Sequence, residues 1–195
     1  TPIVYASAKV LSFHRKAVKL EEVQFHRVND ARDAVPRKLN LVNLWEEDVP
    51  IELGKQSGKL ASYAIRSLEA ATQDLGSGKV DVLVPAPIDK NSMQAAGFQF
   101  PGHTEYLAHV AGHEAQPLMI LLGDGLRVAL VTGHLPIRDV AEAVTTDSIV
   151  AKARLFHQSL ERDLGVVEPR IAILGLNPHA GDGGAIGTED AQRIS

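Results

Sequence analysis

Two histidines stand just past long apolar runs: His134 follows RVALVTG, and His179 follows RIAILGLNP. Both runs read as strands, so both imidazoles fall beyond the carboxyl ends of sheet strands. That edge is where open α/β sheets bind their ligands. Two neutral imidazoles on one edge can share a divalent cation such as zinc. A histidine taken alone is more often a surface or hydrogen-bonded residue, so the strand-end context carries the reading. His14, His26, His109, His113 and His157 lack that context. His109 and His113 are spaced as on one helical face, but Gly112 intervenes and the glutamate of an HExxH motif is missing. These five read as surface residues.

Other residues join the strand-end set. Lys90 follows an apolar run and a Pro-Ala-Pro turn, where it can contact a phosphate or carboxylate or carry a proton. An exposed structural lysine is the plain alternative. Asp139 falls in the first turn of a helix started near Pro136, where a carboxylate favours the helix dipole by about 0.3–1 kcal/mol. A catalytic role, or one orienting His134, is the sharper alternative. The run GDGGAIG at 181–187 precedes a helix start at Thr188 and could cradle a phosphate or pyrophosphate. It does not fit GxGxxG, and a plain turn explains it equally well.

These residues need a scaffold of alternating strands and helices. Pro2–Ala6, Glu22–Val28, Leu39–Trp45, Val80–Val84 and Arg170–Leu176 read as strands. Leu118–Leu122 and Arg127–Thr132 flank Gly123-Asp124-Gly125, which predicts an antiparallel hairpin. Lys9–Ala17 and His103–Val110 read as helices. Leu60, Ala64, Leu68, Ala71 and Leu75 form one helical face, ended by the GSG at 76–78. Ile149, Ala153, Phe156, Leu160 and Leu164 form another, with Thr146 or Asp147 as its cap and Gly165 past its end. The fold class is α/β, with a mixed sheet and flanking helices. The polar stretch Asn29–Arg37 is the best linker, and no internal boundary stands out.

The 195 residues have a formal net charge of -4, with 45% hydrophobic and 23% charged residues. That balance excludes strong disorder and a polycationic nucleic-acid binder. Cysteine is absent, which excludes disulfides, thiolate metal sites and thiol nucleophiles. No run approaches the roughly 18 apolar residues of a membrane span. The first ten residues lack signal-peptide order, so a cytoplasmic location is expected. A strand begins almost at the first residue and a helix starts just before the last, so the sequence reads as truncated at both ends.

Four segments give the sequence a family resemblance: PIDK with AGFQFPGHTEYLA, then LRVALVTGHLPIRDVAEAVT, then EPRIAILGLNPHAGDGG, then IGTED. In order and spacing they resemble the 4-hydroxythreonine-4-phosphate dehydrogenase family, the PdxA-type enzymes of vitamin B6 synthesis. They cover most of Val80–Asp190; the first 79 residues are compatible but less distinctive. The resemblance implies the central part of a two-domain enzyme with an isocitrate/isopropylmalate-dehydrogenase-like fold. It also implies a homodimer with the active site between subunits. Three histidines hold a divalent metal in that family, whether zinc, magnesium or cobalt. His134 and His179 match the first two, and the third belongs to a YHDQG-type segment that this sequence does not contain. The GHTE match assigns substrate contacts to His103 and Thr104. The implied reaction is oxidation of 4-phosphohydroxy-L-threonine by NAD or NADP, with decarboxylation to 3-amino-2-oxopropyl phosphate. Lys90 or Asp139 would handle protons. Without the third ligand, the polypeptide is expected to be inactive by itself.

Three departures stand inside the matched region: Gly133 where threonine is common, Ala185 where histidine is frequent, and Asp89 where asparagine or histidine is usual. They leave room for a relative acting on threonate or erythronate 4-phosphate. Two further readings come from other classes. One is a metal-dependent hydrolase with His134, His179 and Asp139 as ligands. The other is a non-catalytic metal- or phosphate-binding or dimerisation module.

Overall fold

The computed structural model describes residues 1–112 and 116–194. His113, read above as a surface residue, lies outside the described residues. The chain divides into two compact units, Thr1–Ala115 and Gln116–Ser195. Asn29–Arg37, expected as a linker, lies inside the first unit, where it joins two strands of one sheet.

The first unit is built on a three-stranded parallel sheet in which β3 (Leu39–Asn43) lies between β1 (Ile3–Ala6) and β2 (Phe25–Val28). Being central, β3 carries the fully buried pair Asn40 and Leu41. A polar side chain survives there because all of its groups are partnered. The Asn40 amide donates to the carbonyls of Lys38 (3.0 Å), Val35 (3.1 Å) and Pro2 (3.3 Å), and its oxygen accepts from Val35 N–H at 2.9 Å. Those bonds pin the β2–β3 connection against the start of β1. Helix α1 (Ala8–Ala17) follows β1, with Ser7 as its cap.

Helix α2 (Gly58–Gly76) starts at Ser57, whose hydroxyl accepts from Leu60 N–H. Its buried positions are Ala61, Leu68, Ala71 and Thr72. The face is therefore rotated slightly from the expected stripe, and Ala64 is exposed. Ala61 and Leu68 pack with Met93, Phe98 and Tyr106 into the core that seats α3 (Lys90–Ala95) and α4 (His103–Ala111). Phe98, Phe100 and Tyr106 stack with centroids 5.4–5.5 Å apart. This aromatic cluster fixes the two short helices whose first residues are Lys90 and His103.

An ionic cluster ties the far end of α2 to the sheet. Tyr5 donates its hydroxyl to Asp74 at 2.8 Å, and Lys79 bridges Asp74 (3.0 Å) and Asp30 (2.9 Å). Burial, the hydrogen bond to Asp74 and the nearby carboxylates all push the Tyr5 phenol up. A raised acid favours the neutral form in the fold. Its stabilisation is therefore complete below the ordinary value of 10.0 and is lost as pH rises through the folded value. Lys79 is raised as well, by Asp30 and then Asp74, and acts in the same direction. Denaturant midpoints should fall above about pH 10, and Tyr5→Phe should make that limb shallower. An unchanged slope in the variant would remove Tyr5 from this account.

The second unit begins with the expected hairpin, β4 (Ile120–Gly123) antiparallel to β5 (Leu126–Ala129). Helix α5 (Ile137–Ala143) starts behind Pro136. Helix α6 (Thr146–Arg162) buries Ile149, Phe156 and Leu160. Its cap is Thr145, not Thr146 or Asp147: the Thr145 hydroxyl accepts from Ser148 N–H at 3.1 Å, and the Ser148 hydroxyl accepts from Thr145 N–H at 2.9 Å. This reciprocal pair satisfies two donors, which a single acidic side chain two residues later would not. The short helix α7 (Glu189–Arg193) follows Thr188.

Three expectations about the sheet are corrected. The parallel and antiparallel strands form two separate sheets rather than one mixed sheet. Residues 80–84 and 170–176 form no strand and join no ladder among the described residues. Val84 and Leu174 accordingly remain 86% and 81% exposed. Apolar composition reports a preference for burial, whereas a strand also needs a neighbour to hydrogen-bond it.

Candidate functional site

The mouth of the first unit is made by the starts of α3 and α4. Asp89 caps α3, accepting from Ser92 N–H at 2.8 Å and from the Gln56 amide at 3.0 Å. The hydrogen bonds with Ser92 hold its carboxyl below the ordinary value. The Asp89 departure noted in the sequence therefore has a local reason, since aspartate and asparagine cap helices about equally well. Capping places Lys90 at the first helical position, exposed.

Helix α4 opens differently. Its cap residue is Gly102, which has no side chain to occupy the first amides. A Cβ at Gly102 would lie 3.8 Å from Lys90 Cε and 3.4 Å from Glu105 Oε2. The bare glycine thus lets the lysine stem pass close over the helix start. His103 and Thr104 are the first two residues of α4, both half-buried. Lys90, His103 and Thr104 are therefore brought together at a helix N-terminus with no side-chain cap. A cation, a hydroxyl, an imidazole and the positive end of a helix suit an anionic substrate group.

His134 and His179 lie in the second unit. Both are exposed and both take left-handed backbone angles, with φ of 55° and 53°. His134 stands between β5 and α5. Asp139, in the first turn of α5, is half-exposed and pairs with Arg138 at 3.4 Å. His134, His179 and Asp139 do not form a metal-binding trio: among the described residues no group of three or more His, Asp or Glu is arranged to hold an ion. The hydrolase reading needed that trio and loses its support. As a donor type, imidazole suits zinc or cobalt.

The loop carrying His179 is the most constrained part of this unit. From His179 to Gly183 five consecutive residues are left-handed. His179, Ala180 and Asp182 are not glycine, and that conformation costs each roughly 1–2 kcal/mol. Gly181 is buried, and a Cβ there would stand 2.3 Å from the Gly187 carbonyl oxygen. The loop is held by Asp190, a carboxylate only 3% exposed. It accepts from Leu176 N–H (2.7 Å), Asn177 N–H (3.0 Å) and the Asn177 amide (2.9 Å). Burial raises this carboxyl, but the donors on Leu176 and Asn177 outweigh it and hold it below the ordinary value. A second carboxylate, Glu189, accepts from the Asn177 amide at 2.9 Å.

A cavity of about 880 Å³ in the first unit is lined by Tyr5, Trp45, Tyr63, Leu68, Val82 and other mostly apolar residues. His103 reaches its wall, but Lys90, His134 and His179 do not. Its apolar walls offer little to a phosphorylated substrate, so the polar helix start remains the better candidate. Of the remaining histidines, His14, His26, His109 and His157 are exposed as expected, with His157 pairing Glu161 at 3.2 Å. Asn177, Gly181 and Asp190 were not singled out from sequence. The acids directly after Thr188 were the available signal, but they read as ordinary first-turn residues. Among the described residues no helix is long and apolar enough to cross a membrane.

Comparison with known proteins follows from these segments. The family model described as pyridoxal phosphate biosynthetic protein PdxA matches residues 1–195. A 4-hydroxythreonine-4-phosphate dehydrogenase of Bacteroides thetaiotaomicron is 43% identical over 194 residues, covering 100% of this chain and 53% of that protein. The crystal structure of a 4-hydroxythreonine-4-phosphate dehydrogenase from Burkholderia phymatum superposes with a TM-score of 0.81 at 31% identity, covering 99% of this chain and 58% of the other. A putative 4-hydroxythreonine-4-phosphate dehydrogenase from Salmonella typhimurium gives a TM-score of 0.83 at 27% identity, covering 98% and 59%. The chain thus spans about half the length of the curated relative and of the solved structures it matches.

Proposed function

Because this chain belongs to the PdxA family, whose model matches it throughout, we propose that it is the central part of a 4-hydroxythreonine-4-phosphate dehydrogenase. The reaction is oxidation of 4-phosphohydroxy-L-threonine by NAD(P)+ with loss of carbon dioxide, giving 3-amino-2-oxopropyl phosphate. The observation that carries this reading is the approach of the Lys90 stem to the start of α4, where His103 and Thr104 stand and the cap residue Gly102 makes no side-chain bond. It provides a place for an anionic hydroxy acid in the segment where the family resemblance puts substrate.

Each residue has a role in that reading. His103 and Thr104 orient the substrate through imidazole and hydroxyl hydrogen bonds. Lys90 neutralises its anionic end, or carries a proton to and from it. Asp139 is the alternative proton carrier on the side of His134. His134 and His179, as neutral imidazoles, would hold a divalent cation. Such an ion makes a secondary alcohol easier to deprotonate and supports charge developing on its oxygen, while the nicotinamide accepts the hydride. The third ligand would come from a segment that this sequence does not contain. The wider reading includes an isocitrate-dehydrogenase-like fold for the whole enzyme, a homodimer with its site between subunits, and a cytoplasmic location.

The test is a substrate comparison in the intact protein. NAD(P)H formation is followed with 4-phosphohydroxy-L-threonine, threonate 4-phosphate and erythronate 4-phosphate, each with zinc, magnesium or cobalt. The largest kcat/KM should belong to the amino acid phosphate. A preference for threonate or erythronate 4-phosphate would transfer the assignment to a sister activity, and no hydride transfer with any of the three would overturn it.

A further inference from the structure

The buried carboxylate beside the His179 loop takes no part in the proposed chemistry. Asp190 is buried, yet it lies at the start of a short surface helix. Its two oxygens accept from donors on Leu176 and Asn177. These are the last residues before Pro178 and His179. The Asn177 carbonyl then accepts from Ala180 N–H at 3.1 Å, spanning His179. Further on, Ile186 N–H donates to the Gly181 carbonyl at 3.1 Å, which closes the turn. Helix α7 is itself anchored, because Arg193 donates to the Val144 carbonyl at 3.0 Å and its own carbonyl accepts from the Thr146 hydroxyl at 3.0 Å. A continuous set of bonds therefore runs from the α5–α6 junction, through α7 and Asp190, to the residue two before His179.

We infer that Asp190 is a positioning residue that holds the His179 turn in its left-handed conformation and so aims the imidazole. Left-handed backbone at three non-glycine residues persists only where surrounding contacts impose it. Here those contacts are the backbone bonds that close the turn, Glu189 on the Asn177 amide, and the Asp190 carboxylate, which alone among them binds the backbone N–H groups of both Leu176 and Asn177. Asparagine cannot replace it: one oxygen would be lost, and an NH2 would face N–H donors. The assignment of what the aimed imidazole binds rests on the proposed function, whereas the hold on the turn does not.

The experiment uses this chain with Asp190→Asn, Asp190→Glu, Asn177→Ala, His179→Ala and, as a control that weakens the same unit elsewhere, Leu160→Ala. NMR reports Cα shifts and amide exchange for residues 176–183, and visible titration with cobalt(II) reports metal affinity. In Asp190→Asn the turn amides should exchange about tenfold faster or more, and the left-handed shifts of residues 179–183 should move toward random-coil values. Cobalt affinity should fall by about 10–100-fold, as when an outer hydrogen-bond partner of a ligand is removed. Asp190→Glu should recover part of both effects. Asn177→Ala, which spares the two backbone bonds, should loosen the turn less and covers the case in which Asp190→Asn does not fold. Leu160→Ala should lower the melting temperature while leaving both readouts of the turn in place. Unchanged turn shifts in Asp190→Asn, or the same turn changes in Leu160→Ala, would overturn the inference. Cobalt affinity unaffected by His179→Ala would overturn the metal reading instead, and the turn shifts would still decide the role of Asp190.

Discussion

Replacing His134 and His179 together by alanine in the intact protein is expected to lower kcat for 4-phosphohydroxy-L-threonine by about a thousandfold or more. The magnitude follows from losing the several kcal/mol by which a bound divalent ion stabilises charge at a reacting oxygen. In the proposed reading the two histidines serve one ion, so each single variant should fall nearly as far, because groups that act as a unit do not add. Folding should hardly change. Both side chains are exposed, and alanine bears a left-handed backbone penalty like that of the histidine it replaces, so each change should stay near about 0.5 kcal/mol. The pair of measurements is therefore decisive: turnover collapses while the denaturation midpoint stays in place. Raising the metal concentration should restore part of the activity of a single variant and none of the double variant's. Turnover within tenfold of the parent in the double variant would detach both histidines from the chemistry.

His134 and His179 stand out in the sequence because each follows an apolar run and sits among glycine and proline. Lys90 stands out for the same reason, and Asp89 in front of it adds a capping bond that places the lysine at the first helical position. Helices α1, α2, α4 and α6 and the β4–β5 hairpin followed from periodicity and turn chemistry, since those signals are local. The two apolar runs that lead into the site did not behave as predicted. Residues 80–84 and 170–176 have strand composition, but whether they pair depends on neighbours far away in the chain, which no local pattern encodes. The hold on the His179 turn was hidden for a related reason. Asp190 lies eleven residues after His179 and acts on the residues before it. At the start of a helix an aspartate already has an ordinary explanation in the helix dipole. Only its burial, together with three donors converging on it, shows that it is occupied elsewhere.

That turn also sets the largest expected loss of stability. Gly181→Ala should destabilise the second unit by about 3–5 kcal/mol, whereas Gly183→Ala, two residues on, should cost about 1–2 kcal/mol. Both glycines are left-handed, with φ of 84° and 63°, so the backbone penalty of adding a side chain is shared. The surroundings differ. A methyl group at Gly183 would meet nothing within 4 Å. At Gly181 it would press on the Gly187 carbonyl oxygen at 2.3 Å and the Gly187 carbonyl carbon at 3.3 Å. The obstacle is backbone, not the end of a flexible side chain, and Gly187 cannot retreat easily. A Cβ there would already lie 2.8 Å from the Asn177 amide nitrogen, which shows how closely the two sides of the turn are pressed together. Relief at Gly181 therefore requires moving the segment that leads into Asp190, and with it the carboxylate that holds Leu176 and Asn177. Denaturant unfolding of the two variants side by side gives the comparison, and cobalt titration gives its functional counterpart. Gly181→Ala should lose metal affinity along with stability, while Gly183→Ala should keep most of both. Equal losses in the two variants would mean that backbone angle alone governs the turn, and the close approach of residues 181 and 187 would then have no energetic weight.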